Sequence, residues 1–233
     1  MTRVLFLDDG GVLSDNERRA TQWRAHVGEF LARELGGDPA AWQEANRLAL
    51  ARLDKRFYDA ASRSRFRPGS YWRQDGVLWL ADMCAHVKVP MPAEDAAAEI
   101  AQRASRYVTE RVRAFYPDVI ATLRELRARG HIVHTSSGAM EADLDGYLRA
   151  EGVRDLFGTL YGSDIVDTWK LGPDFYRAVL AHSGADAHDA VTVDDSRAAV
   201  GWARDCGMKA LLLRRDDPSG DLRSLADLLR ALA

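Results

Sequence analysis

The chain has 233 residues, 32 Lys and Arg against 35 Asp and Glu, a formal net charge of −3 and 47% hydrophobic residues. That size suits one large domain or a core with a modest insertion. The balanced charge speaks against a nucleic-acid binder or an acidic tail protein, and the apolar content against wholesale disorder.

No apolar run approaches the ~18–20 residues that span a bilayer, so no membrane partner is expected. Met1-Thr2-Arg3 runs straight into Val4-Leu5-Phe6-Leu7, without the longer apolar stretch and small-residue cleavage site of a secretory leader. Cys84 and Cys206 stand far apart and lack metal-site spacing, which argues against a disulfide framework or a zinc site. A cytoplasmic globular protein is the expectation.

The first element in chain order is the short apolar run Arg3 to Leu7, which stops at Asp8 and has the character of a strand buried on both faces. From about 14 to 115 the pattern turns helical. Trp23, Val27, Phe30 and Leu31 recur at helical spacing, long Ala- and Arg-rich stretches follow, and no convincing strand interrupts them. From about 117 onward strand and helix alternate. Val119, Ile120, Leu123 and Leu126 form a helical stripe, and His131 to His134 read as a strand after Gly130. Met140, Leu144, Tyr147 and Leu148 form a second stripe, and Thr159 to Tyr161 a weaker strand. Phe175, Val179 and Leu180 read as a helix, Ala190 to Val193 as a strand ending at Asp194, and Val200 and Ala203 as a helix. Met208 to Leu213 read as the last strand, with helix again over Leu222 to Leu232. This alternation predicts an α/β fold: a Rossmann-like parallel sheet with helices on both faces, built from residues 1–14 and 116–233. Residues 15–115 are expected as an inserted helical subdomain.

In open α/β sheets, ligands bind at the carboxyl ends of the strands. Three apolar runs end there in polar side chains: Asp8-Asp9-Gly10-Gly11, Thr135-Ser136-Ser137-Gly138 and Asp194-Asp195-Ser196. Carboxylates gathered from two strands repel one another unless a cation sits between them, and a hard ion such as Mg²⁺ prefers oxygen ligands and a substrate phosphate. The hydroxyls and N–H groups around Ser136, Ser137 and Gly138 suit a phosphate, and Lys170, in a short loop before Gly172-Pro173, suits its neutralisation.

These residues resemble the haloacid dehalogenase-like hydrolase superfamily. Leu5-Phe6-Leu7-Asp8-Asp9-Gly10-Gly11-Val12-Leu13 looks like its first motif, an apolar strand followed by Asp-x-Asp-Gly-Thr/Val-Leu. His131 to Gly138 resembles the second, Lys170 the Lys of the third, and Val191-Thr192-Val193-Asp194-Asp195-Ser196 the fourth. Ala203 to Met208 resembles the usual continuation, and the four motifs span nearly the whole chain in order. The resemblance implies a helical cap after the first motif and Asp8 as a covalent nucleophile that forms an aspartyl-phosphate. It implies Mg²⁺ held by Asp8, the Gly10 carbonyl and Asp195, with Asp194 a ligand or a support behind the ligands. It also implies a phosphoryl group bound by Ser137 or Ser136 with Gly138 and Asp9, and Lys170 offsetting charge.

Two features depart from the pattern. Gly10 stands where phosphatases of the family usually carry a second Asp, the acid for the leaving group, and Lys170 is followed by Leu171 in place of Pro. Asp15 and residues of the cap are the candidates to replace that acid. The expected activity is Mg²⁺-dependent hydrolysis of a small phosphorylated metabolite by a monomer or homodimer. A 2-haloacid dehalogenase, or a weakened phosphometabolite-binding protein, is the alternative.

The segment Ser62 to Arg73 sets Arg63, Arg65, Arg67 and Arg73 among Phe66, Tyr71 and Trp72. It reads either as an anion- or sugar-recognising patch or as a solvated loop whose aromatics pack inward. Trp23, Trp42 and Trp79 read as core, and His131 and His134 as packed strand residues.

Overall fold

The structure, a computed structural model, describes residues 2–233. Met1, used above in reading the N-terminus, and the side chain of Trp72 lie outside the described residues. The chain divides into two compact units, residues 1–16 with 114–233, and residues 17–113.

The first unit is built on a five-stranded, all-parallel sheet. Its strands are β1 (Val4–Leu7), β2 (Ile132–Ser136), β3 (Leu160–Tyr161), β4 (Ala190–Asp194) and β5 (Lys209–Leu212), in the order β3-β2-β1-β4-β5. β1 is central and pairs with both β2 and β4, with Leu7 level with Thr135 and with Val193. Alternation along β1 feeds two cores. Leu5 and Leu7 join one that includes Val119, Leu123, Leu126, Leu144 and Leu148, and Phe6 joins the other, with Phe175, Tyr176, Val179, Val200 and Ala203. The helices carrying these residues therefore cover both faces of the sheet, as the alternation predicts.

Two strands run further than their apolar runs. β2 continues through Thr135 and Ser136 because these residues pair with Leu160 and Tyr161, and β4 takes in Asp194, which pairs with Leu212. The C-terminal stretch expected as helix over Leu222 to Leu232 is a 3₁₀ turn at Leu225–Asp227 and a short helix at Leu228–Ala231. A capping box between Ser224 and Asp227 sets where that turn begins.

The helices in chain order are α1 (Asn16–Leu35), α2 (Pro39–Tyr58), α3 (Ala60–Arg63), α4 (Pro68–Val87), α5 (Glu94–Thr109), α6 (Val119–Ala128), α7 (Glu141–Ala150), α8 (Pro173–Ser183), α9 (Arg197–Asp205) and α10 (Leu228–Ala231). None of the described helices is long and apolar enough to cross a membrane. The second unit is helical. Asp38 caps α2 through the Ala41 N–H, with Pro39 preset for the first turn. Val27, Leu31, Trp42, Tyr71, Leu80, Met83 and Val108 are buried in it.

The Arg-rich segment is tied down inside this unit. Tyr71 is buried, Phe57 and Phe66 lie against its ring, and Arg63 donates to the Phe57 carbonyl. Arg73 pairs with Asp95. Phe66 and Tyr71 pack against one another, and these two arginines of the segment are held by local partners.

Candidate active site

The site is assembled at the carboxyl edge of the sheet, where β1, β2 and β4 end and the loop before α8 comes over them. Asp8 follows β1, and its N–H is fixed by the Val193 carbonyl of β4. Asp194 closes β4 and Asp195 follows it. One carboxylate oxygen from each of Asp8, Asp194 and Asp195 lies within 4.8 Å of the others.

Lys170 enters this group from the loop between β3 and α8. Its Nζ donates to Asp8 Oδ1 at 2.7 Å and to the Ser136 carbonyl at 2.7 Å, and lies 2.7 Å from Asp194 Oδ2. The ammonium is nearly buried and carries three oxygen partners, so each of its protons has an acceptor. Burial opposes its charge, but Asp8, Tyr176 and Asp194 outweigh that and hold it well above its ordinary value.

Asp194 is the most enclosed of the three acids, at 1% exposure. One oxygen accepts from the Ser196 N–H at 2.8 Å, and the other faces Lys170 and the Tyr176 hydroxyl at 3.3 Å. Burial pushes Asp8 up to about 7, with Lys170 opposing and Asp194 adding to the rise. Burial likewise raises Asp195, helped by Asp194 and countered by Lys170 and Arg214. Three clustered carboxylates against one ammonium leave a surplus of negative charge in a low-dielectric site.

That surplus, on oxygen donors alone, is the chemistry a hard divalent cation fits. Asp8 and Asp195 are the side chains best disposed to hold one, because Asp194 already serves Lys170, Tyr176 and Ser196. Gly11 shows how closely the first loop is seated on Asp195. Its φ is +74°, and a Cβ there would lie 2.2 Å from Asp195 Oδ2. Glycine is therefore favoured at this place on two counts, its left-handed backbone and the seat of the Asp195 side chain.

The remaining sequence candidates are placed as follows. Ser136 lies inside β2 with its side chain fully buried, its Oγ 3.5 Å from that of Thr192, and it meets the site through its carbonyl. Ser137 follows the strand, and its Oγ accepts from the Ala139 N–H at 3.2 Å. Gly138 sits beside Lys170 and accepts from Ser163. Asp9 does not join the three acids. It is buried, and its carboxylate accepts from the Ser14 hydroxyl at 2.9 Å, bracing the loop that contains Gly10. The sequence alone does not distinguish Tyr176, since an aromatic at helical spacing in α8 looks like core. The signal was its place six residues after Lys170, on the helix that Lys170 introduces. His131 and His134 are packed: one accepts from the Arg3 N–H, the other stacks on Phe6.

A family model described as haloacid dehalogenase-like hydrolase matches residues 2–207. The chain belongs to this family. Among solved structures, the haloacid dehalogenase-like fold is shared with a defluorinating L-2-haloacid dehalogenase (TM-score 0.70, 17% identity, covering 99% of this chain and 95% of that one). It is also shared with the L-2-haloacid dehalogenase from Xanthobacter autotrophicus (TM-score 0.65, 18% identity, 100% and 98%) and a phosphatase of the family from Thermococcus onnurineus (TM-score 0.62, 21% identity, 100% and 98%). A curated relative from Rattus norvegicus, phospholysine phosphohistidine inorganic pyrophosphate phosphatase, is 33% identical over 87 residues. That match spans 37% of this chain and 30% of the relative's length.

Proposed function

We propose that this haloacid dehalogenase-like hydrolase is a divalent-cation-dependent phosphatase acting on a small phosphorylated metabolite. The observation that carries the reading is the convergence of Asp8, Asp194 and Asp195 around the Lys170 ammonium. Breaking a carbon–halogen bond calls for no such cluster of acids, whereas a phosphoryl group brings two or more negative charges that a cation must offset. The rat relative that shares a stretch of sequence is itself a phosphatase.

In this reading Asp8 and Asp195, with the Gly10 carbonyl, would hold the ion. When bound, it supplies charge neutralisation on the phosphoryl oxygens. Asp8 attacks phosphorus with a carboxylate oxygen, the bond from phosphorus to the leaving oxygen breaks, and an aspartyl-phosphate forms. Water then attacks phosphorus, the bond to Asp8 breaks and the carboxylate is restored. Lys170 favours the ionised form of Asp8 against its burial and positions it, Asp194 and Tyr176 keep Lys170 aimed, and Ser137 donates to a phosphoryl oxygen. Gly10 offers no proton to the leaving group, so substrates with good leaving groups turn over fastest. The helical unit is read as the family's cap, in which substrate choice resides.

The test is phosphate release from p-nitrophenyl phosphate and a panel of phosphorylated metabolites, with Mg²⁺ or EDTA, for the wild type and Asp8→Asn. Release that needs both Mg²⁺ and Asp8 supports the reading, and none from any substrate by folded protein rejects it.

A second reading is a 2-haloacid dehalogenase, in which Asp8 attacks carbon and halide leaves. Gly10 favours it, since halide departs without a proton. Halide release that is indifferent to EDTA would select it. Anion binding without either turnover would leave a binding protein.

A further inference from the structure

The loop from Asp9 to Ser14 is bonded to itself. Leu13 and Ser14 N–H groups both donate to the Asp9 carbonyl, and the Gly11 N–H donates to that of Ser14. Such a turn is rigid within itself, yet it must be anchored from outside to keep Gly10 and Gly11 in place against Asp195. Among the described residues, two backbone carbonyls of the loop are reached from elsewhere in the chain. Arg215 donates to the Val12 carbonyl at 2.8 Å, and the Tyr116 N–H to that of Leu13 at 3.0 Å.

Both anchors belong to one assembly. The Arg215 guanidinium lies 3.6 Å from the centroid of the Tyr116 ring, and its other terminal nitrogen donates to Asp118 Oδ1 at 2.8 Å. The second oxygen of Asp118 accepts from the Leu225 N–H at 2.7 Å. Arg215 and Asp118 are only 16% and 21% exposed, so the fork is largely screened from water. A planar guanidinium can lie flat on a ring while its two ends donate to acceptors on opposite sides, a span that the compact ammonium of lysine does not reproduce.

We propose that Arg215 is a positioning residue for the active site. It clamps the Val12 carbonyl to Tyr116 and Asp118, and so fixes the Gly10–Gly11 turn at the distance from Asp195 that cation binding and phosphoryl transfer require. Arg215 touches neither cation nor substrate; it acts through the loop. The tolerance is small, since there is no room for a Cβ between Gly11 and Asp195. This rests on the phosphatase reading.

The experiment compares wild type, Arg215→Lys and Arg215→Ala. Mg²⁺ affinity is measured by calorimetry without substrate, kcat and KM are measured with p-nitrophenyl phosphate, and melting temperature is recorded alongside. Arg215→Lys is expected to lose about 10- to 100-fold in Mg²⁺ affinity and a similar factor in kcat, as removal of a supporting partner does elsewhere. Its KM should stay within about twofold, because the phosphoryl-binding groups are untouched. Its melting temperature should fall by less than about 5 °C. Millimolar guanidinium should restore part of the affinity and turnover of Arg215→Ala, a recovery that a general loss of stability would not show. Unchanged Mg²⁺ affinity and kcat in Arg215→Lys overturn the proposal, as does a loss in Arg215→Ala that tracks its melting temperature and ignores guanidinium. If wild type neither binds Mg²⁺ nor releases phosphate, the phosphatase reading falls and takes this inference with it. If wild type does both and the variants match it, the inference alone falls.

Discussion

Lys170 Nζ stands 2.7 Å from Asp8 Oδ1 and 2.7 Å from Asp194 Oδ2, so one ammonium is shared by acids from the ends of two adjacent strands. Lys170 is the cation that offsets the repulsion between the Asp8 and Asp194 carboxyl groups in this nearly dry site. The ammonium is as much a condition of the fold at this edge as of the chemistry.

Lys170→Met therefore removes more than the charge proposed to assist phosphoryl transfer. It strands two buried carboxylates, and such one-sided deletions cost about 3–5 kcal/mol. Urea denaturation at neutral pH is expected to show a loss of that order, and phosphate release should drop below detection. A Lys170→Met protein as stable as wild type would mean that the acids find another partner.

The pH dependence has a definite sign. Burial raises Asp8 from 3.8 in the unfolded chain to about 7 in the cation-free fold. The native state thus holds a proton that the unfolded state has lost, and the stability this provides is present at low pH and fades as pH rises through about 7. A divalent cation must displace the same proton. Mg²⁺ affinity should accordingly rise up to tenfold per pH unit below about 7 and level off above it. Calorimetric titrations at about pH 6, 7 and 8 read this directly, and a flat affinity across that range would rule it out.

Gly11→Ala places a methyl group where Asp195 Oδ2 lies, on a backbone at φ +74°. The obstructing atom is the tip of a side chain, so Asp195 swings away and the fold survives. Stability should fall by about 1–2 kcal/mol for the left-handed alanine. Mg²⁺ binding should weaken at least tenfold, the range seen when a ligand's support is disturbed. Full Mg²⁺ affinity in this variant would remove Asp195 from the ligand set.

Gly10→Asp restores the acid that the first motif usually carries. Turnover of alkyl phosphates, whose leaving groups need a proton, should rise by about tenfold or more, while p-nitrophenyl phosphate changes little. Equal effects on both substrates would show that leaving-group protonation does not limit this enzyme.

Much of this site is legible in the chain itself, because its parts lie where apolar runs meet charge. Asp8 and Asp194-Asp195 stand out as acids closing buried strands, and Lys170 stands out only through its order among them. Other parts depend on three-dimensional pairing. Thr135 and Ser136 look like turn residues until β3 pairs with them, and that pairing buries the Ser136 side chain and turns its carbonyl toward Lys170. Asp9 is chemically equivalent to Asp8 in a list of residues, but the turn that begins where β1 ends sends the two to different surroundings, one to Lys170 and one to Ser14. Tyr176 and Arg215 meet the site only across the fold, 18 positions from Asp194 in one case and 203 from Val12 in the other, and no local pattern announces such partners.

The placement of β1 also governs how the protein is made. The ribosome delivers Val4–Leu7 first, yet the partners of this central strand begin only at Ile132 and Ala190. Throughout synthesis of the helical unit a fully apolar strand waits with both edges open, and sheet growth starts only once β2 emerges. Vectorial folding of this chain is therefore inverted: the inserted helices can mature first, and Asp8, next to β1, is synthesised long before the strands that fix it.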